Sequence, residues 1–518
     1  MTNVADIIIV GSGACGAAAA WSLSQDRSMR IVCFEQGSKQ KNQYYPTKPS
    51  DYKVTNNELA YLVDPNPNIR KNFADYPIDN NNSPISIANY NGFGGSTTLY
   101  SGHFPRLHPS DFKVKTLDNI ADDWPISYDE LISHFQKNEE IMEVSGLVGD
   151  TANPNYLMLK DPIPLDEVGI EMAKAFNLKK WHWWPSYSAI RKTNFLANGV
   201  DMTYWPIAHS NGVEVYTETQ VSEITLDSNG IADGVIYTDK KGIENKYSAN
   251  IIILACNGIG TPRLLLNSKS KLYPDGLLNE NGLVGKNLML HPLAYVEGVF
   301  DKNIDSSFGP HGCCIFSQEF YETRAENNFM RGYTMQVLRG SSAIEVANTG
   351  YFMRQLSLGQ NHHKDFLKLF NHTAGIAIIS EDLPEEHNRI ELDYENKDGF
   401  GMPGVKIHYK MNENTQKILK HGIQMAKEIF STVGAKVTSS FNPIRNAGWH
   451  LMGTARMGEN INNSVVNKFG QAHKVKNLFI VDSSNFVTSG ASNPVATSQA
   501  ITLFSCDYIR KNISNLSC

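Results

Sequence analysis

The chain has 518 residues, 41% of them hydrophobic, and a formal net charge of −6 at pH 7. That length predicts more than one domain, or one domain carrying a large insertion. The charge leaves no basic footprint for nucleic acid, and no uninterrupted apolar run of about 20 residues predicts a membrane span. The seven cysteines are scattered and lack a C-x-x-C pair, which predicts thiols in a reducing, cytoplasmic setting with no metal site.

The N-terminal segment is Ala5-Asp-Ile-Ile-Ile-Val-Gly-Ser-Gly-Ala-Cys-Gly16. Ile7 to Val10 read as a buried parallel strand, Ala17 to Leu23 as a helix and Arg30 to Phe34 as a second strand, together one βαβ unit. Gly11, Gly13 and Gly16 fit G-x-G-x-x-G at the strand-to-helix turn, where a pyrophosphate can meet the helix N-terminus. Glu35 follows at close to the spacing of about 20 residues expected for the acid that binds a ribose hydroxyl. The stretch is not expected to be a signal peptide, because Asp6 heads it and no Lys or Arg precedes it.

Residues 41–85, rich in Asn, Pro, Tyr and Asp, read either as a lid or as a plain surface excursion. Gly94, Gly95 and Ser96 offer consecutive backbone N–H groups beside a hydroxyl, suited to contact with an anion or a ring. Ser127 and Glu130 form a capping box for a helix carrying Leu131, Ile132 and Phe135. Trp181-His-Trp-Trp-Pro-Ser-Tyr187 is an aromatic cluster that would either stack on a sugar or flavin ring or fill a core.

From Val213 the pattern turns to strands, ending in the apolar run Lys246 to Ala255, read as a central parallel strand. Thr261 and Pro262 then fit N-cap and N1 of a helix, so the nucleotide fold resumes after an insertion. Thr415 to Phe430 is a further amphipathic helix. Near the C-terminus come Gly448-Trp-His-Leu-Met-Gly-Thr454, a strand at Asn477 to Asp482, and Asn493-Pro494 at N-cap and N1 of a closing helix. His450 suits proton removal near neutrality; by spacing alone the packed side chain is the favoured reading, and Asn493 reads only as a cap.

In order along nearly the whole chain, the glycine fingerprint with Glu35, Gly94-Gly95-Ser96, Ala255 to Leu266, Gly285 to Pro292, His450-x-x-Gly-Thr454 and Asn493-Pro494 resemble the glucose-methanol-choline (GMC) oxidoreductases. The C-terminal segment most resembles the branch of pyranose oxidases and the flavoprotein subunits of gluconate and fructose dehydrogenases. The resemblance implies an α/β architecture: a Rossmann-like FAD-binding domain with a discontinuous α+β substrate domain, of the p-hydroxybenzoate hydroxylase-like type. It assigns residues 1–40, 86–120, 206–300 and 441–518 to the FAD domain, and 121–205 and 301–440 to the substrate domain.

By the same resemblance, Glu35 meets the adenosine ribose, Val221 lies near the adenine, and Asp482 lies near the ribityl or pyrophosphate. His450 and Asn493 face the flavin N5: His450 takes the hydroxyl proton as hydride leaves for N5, and Asn493 hydrogen-bonds the substrate oxygen. Where covalent family members carry Ser-Thr-His-Trp this chain has Ser96-Thr97-Thr98-Leu99, with His103 the lone alternative, so FAD is expected to be non-covalent. The expected activity is oxidation of an alcohol on a sugar or sugar-like polyol, with oxygen, a quinone or a cytochrome as acceptor. The alternatives are a non-sugar alcohol and hydroxynitrile lyase-type acid–base chemistry.

Overall fold

The computed structural model describes residues 4–39, 67–70, 72–153, 156–157, 159–192, 195–352 and 354–516. Most of the expected lid, residues 41–66 and 71, lies outside the described residues.

The architecture is mixed α/β. Its first sheet orders seven strands around Val4–Val10, which pairs in parallel with Ile31–Phe34 on one side and with the long strand Glu244–Leu254 on the other. Beyond Ile31–Phe34 lies Glu214–Tyr216, also parallel. The far edge of Glu244–Leu254 is shared: its first half pairs antiparallel with Ala232–Thr238, its second half in parallel with Leu478–Ile480. Ile8, Val10, Ile252 and Leu254 enter one core while Ile7, Ile9, Ile251 and Ile253 enter another. A strand covered on both faces must be apolar throughout, which is why these segments read as continuous hydrophobic runs.

On one face lies the helix Ala14–Leu23, whose Ala17 to Ala20 are fully buried, packed against the C-terminal helix Val495–Leu516. The helix starts at Ala14, ahead of the expected Ala17, and includes Cys15. The capping box of Ser127 and Glu130 opens the helix Tyr128–Ile141.

That last helix packs with the first sheet. Leu131 and Phe135 belong to the core of the first sheet, and Tyr187, Tyr204 and Trp205 join the core on its other face. Arg106 anchors the helix through a fully buried bidentate pair with Glu139, 2.6 and 2.7 Å, stacked over Tyr156. These parts of 121–205 therefore pack with the first sheet, while residues 168–176 of the same stretch pack with the second.

A second, antiparallel sheet runs Lys436–Phe441, Leu293–Val299, Thr373–Ser380, Tyr333–Leu338, Cys313–Ser317 and Trp184–Pro185. The helices Glu167–Lys179 and Glu413–Thr432 cover its outer face; the latter contains the segment expected at Thr415 to Phe430. Arg389–Lys397, Pro403–His408 and Ile78–Asn82 form a third sheet. The six cysteines among the described residues are unpaired, and no described helix is long and apolar enough to cross a membrane.

Candidate active site

A cavity of about 740 Å³ runs between the first and second sheets, from Gly13 and Glu35 at one end to His450 and Asn493 at the other.

At the first end the backbone does most of the shaping. Gly11 has φ +98°, and a Cβ there would stand 2.5 Å from Ala255 O; a Cβ on Gly16 would stand 1.8 Å from Gly11 O. Only glycine allows that turn and that helix approach. Gly13 differs. Its Cβ would meet only Gly95 Cα, at 3.8 Å, so its glycine leaves room in the cavity wall and not against the protein.

Ser12, an unassigned position of the motif, ties this end together. Its N–H and Oγ–H donate to Glu35 Oε2 at 3.0 and 2.7 Å, its Oγ accepts from Gly94 N–H, and its carbonyl accepts from the indole of the fully buried Trp205. Gly37 N–H donates to Glu35 Oε1 at 2.8 Å. Burial raises the Glu35 carboxyl, and these donors pull it back. Neither Ser12 nor Trp205 carried a sequence signal beyond residue type.

Gly94 and Gly95 do not offer the two amides expected of them. Gly94 N–H is spent on Ser12 Oγ and Gly95 N–H on Gly92 O, because the turn, at φ +89° and +58°, closes on itself and on Gly13. Ser96 Oγ accepts from Tyr90 N–H. Gly95 and Ser96 remain in the cavity wall. Val221, on Gln220–Leu226, also lines the cavity. Beside it, a buried set that sequence reading missed joins Gln36, Gln220, Asp398 and Arg263, with Arg263 to Asp398 at 2.6 Å.

Asp482, at the end of Leu478–Ile480, organises the middle. Its Oδ2 accepts from Asn257 N–H and Thr261 Oγ–H, and its Oδ1 from Ser484 N–H. The next helix consequently begins at Asn257 and not at Thr261. Pro262 sits inside that helix and cannot donate to Gly258 O, the carbonyl four residues back. Thr454 Oγ–H donates to Gly258 O at 2.7 Å instead.

At the far end His450 sits between two isolated bridges, Ile87 with Gly448 and Met289 with Met452. Its Nδ1 is 2.9 Å from His291 Nδ1 and its Nε2 is 3.4 Å from Asn493 Nδ2. His291 Nε2 lies 2.7 Å from Gly490 O. A carbonyl only accepts, so His291 carries its proton on Nε2 and accepts at Nδ1. His450 must then carry its proton on Nδ1, which leaves Nε2 as a lone pair facing the cavity.

Burial, then His291 and His103, hold His450 well below the usual histidine range, and burial holds His291 down at about 4, so both rings stay neutral. His291 stands at φ +48°, a conformation that costs a non-glycine residue roughly 1–3 kcal/mol. Asp382 secures it: Oδ2 accepts from Leu290 N–H at 2.8 Å, and the Asp382 N–H donates to Ser489 Oγ. His291 is a residue for which the sequence supplied only a motif position.

Asn493 does not cap the closing helix. That helix opens at Val495, and the Asn493 amide points sideways, accepting from Gln336 Nε2 at 2.6 Å and facing His450. Pro494 lines the cavity just ahead of it. The Trp181 to Tyr187 cluster is absent from the cavity wall. Trp181 packs on Phe320, Trp183 and Trp184 donate to Asn177 and Leu147, and Tyr187 stacks on Tyr156. His103 does line it, with Nε2 accepting from Cys313 N–H at 2.9 Å.

Comparison with known proteins identifies the family. Two family models described as GMC oxidoreductase match residues 5–293 and 384–502. The chain is 35% identical to 2-methyl-1,2-propanediol dehydrogenase from Mycolicibacterium austroafricanum, covering 99% of this chain and 96% of that one. It is 24% identical to the fructose dehydrogenase large subunit of Gluconobacter japonicus, covering 99% of each. Among solved structures, pyridoxine 4-oxidase from Mesorbium loti superposes with a TM-score of 0.71 at 16% identity, covering 98% of this chain and 99% of that one. The chain belongs to the GMC oxidoreductases, a family of FAD-binding enzymes.

Proposed function

We propose that this GMC oxidoreductase oxidises a small-molecule alcohol at a CH–OH group, with His450 as the base that removes the hydroxyl proton. The observation that carries the reading is the direction of the His291–His450 hydrogen bond, which leaves His450 Nε2 unprotonated at the cavity wall. FAD, when bound, supplies the hydride acceptor. Gly13 leaves it room, Gly11 and Gly16 shape the turn, and Glu35, Gly95, Ser96, Val221, Asp482 and Pro494 line its path. The contacts of Ser96-Thr97-Thr98-Leu99 and the engagement of His103 with Cys313 N–H favour non-covalent binding.

The chain's own part in the reaction is to hold one oxygen. The substrate hydroxyl donates to His450 Nε2 in place of the 3.4 Å contact from Asn493, whose amide N–H then donates to the same oxygen. A neutral imidazole in a low-dielectric wall is ready to accept the proton. The cavity wall carries Leu293, Leu338, Ala377, Ile379 and Ile444 beside Tyr295, His311, Arg339 and Glu345, a lining that suits an alcohol with a hydrocarbon flank. With the tryptophan cluster turned away, the sugar reading is the second one, supported by the similarity to a fructose dehydrogenase subunit.

The test is the visible spectrum of the FAD-loaded protein under nitrogen as simple alcohols, diols and sugars are added singly. Bleaching by an alcohol is the expected result. A ring that stays oxidised while a substrate is consumed would instead indicate lyase chemistry.

A further inference from the structure

The hydrogen bonds at the catalytic end run in one direction, and their last member has no partner among the described residues. Gly490 O accepts from His291 Nε2, His291 Nδ1 accepts from His450 Nδ1, and His450 Nε2 accepts from Asn493 Nδ2. Asn493 Oδ1 accepts from Gln336 Nε2 at 2.6 Å. Each group can play only one role at each atom, so one backbone carbonyl fixes the orientation of all four side chains. The series ends at Gln336 Oε1, an acceptor.

Gln336 is 3% exposed and lies on Tyr333–Leu338, opposite Ala377 of the neighbouring strand. It lines the cavity among Leu293, Leu338, Ala377, Ile379 and Ile444. No donor to its Oε1 occurs among the described residues. With no protein donor, this amide oxygen opens on the cavity and is free to accept from a ligand that enters it.

We infer that Gln336 Oε1 receives a second hydroxyl of the substrate, next to the one held by His450 and Asn493, so that the preferred substrate is a vicinal diol with a hydrocarbon flank. Through Nε2, the same residue is a positioning residue for the Asn493 amide. A simple monoalcohol would leave Oε1 unpaired. This inference rests on the alcohol-oxidising reading above.

The experiment is anaerobic flavin reduction of the FAD-loaded enzyme by diols, each paired with the monoalcohol of the same skeleton, such as 2-methyl-1,2-propanediol with 2-methyl-1-propanol. Wild type is expected to favour the diol by about tenfold in kcat/KM. Gln336→Leu should bring the ratio close to one. Gln336→Glu keeps an acceptor but loses the donor to Asn493, so it should retain the preference while kcat falls for both alcohols. An unchanged ratio in Gln336→Leu, or a hexose outperforming every hydrocarbon-flanked diol, would overturn the inference while leaving alcohol oxidation intact. A wild-type flavin that no alcohol reduces would overturn both.

Discussion

The two ends of the cavity are built by different means. At the dinucleotide end, Gly11, Gly13, Gly16 and Glu35 come from one short stretch, and the shape is set by glycines and backbone amides. At the catalytic end, His291, Gln336, His450 and Asn493 come from four distant segments and are aligned by side-chain hydrogen bonds in series. The first end is a shape that can hold a ligand wherever the chemistry happens. The second is a direction, and reversing the His291–His450 bond would remove the proposed base.

Damage at the catalytic end should therefore abolish chemistry and spare the cofactor, and damage at the other end should do the reverse. The largest effect is expected of His450→Ala, which removes the proposed base: anaerobic flavin reduction should slow by roughly 10²–10⁴-fold with FAD retained. His291→Leu leaves His450 in place without its orienting partner, and reduction should fall on the order of 10²-fold, less than the loss seen where a carboxylate orients the ring. FAD content, measured by absorbance after gel filtration, should be that of wild type in both.

At the opposite end, Glu35→Ala should weaken FAD about tenfold in a titration of apoprotein. The loaded fraction should react at the normal rate. Thr454→Val, between the two ends, leaves Gly258 O without its donor and should cost about 1–3 kcal/mol, read as a lowered thermal midpoint of the apoprotein. The smallest effect is that of pH. Because burial lowers His450, its neutral form persists below the ordinary histidine value and is lost only as pH falls through the lowered one. Reduction should be flat from pH 8 down through about 6.5. A limb centred at or above that value would mean that the ring is not desolvated.

The same contrast explains what the sequence disclosed. The βαβ unit, the strand Lys246 to Ala255 and the Ser127 capping box were legible because each depends on neighbours in the chain. Thr261 and Pro262 misled because a distant hydroxyl, Thr454, supplies what Pro262 withholds, and the helix runs through the proline. Asn493 resembled a cap until Gln336, on another sheet, claimed its oxygen. The amides of Gly94 and Gly95 looked available because their acceptors, Ser12 Oγ and Gly92 O, are a matter of turn closure and not of composition. The roles of Ser12, His291 and Gln336 had no local signature, since each follows from a partner far away in the chain.

The central claim is the protonation pattern of the His291–His450 pair, and ¹⁵N NMR of the histidine-labelled, FAD-loaded enzyme at pH 7 reads it directly, with His450→Gln and His291→Leu assigning the signals. Two neutral rings, with the proton on Nδ1 of His450 and on Nε2 of His291, are the predicted result. A His450 ring protonated on Nε2, or on both nitrogens, would contradict the account.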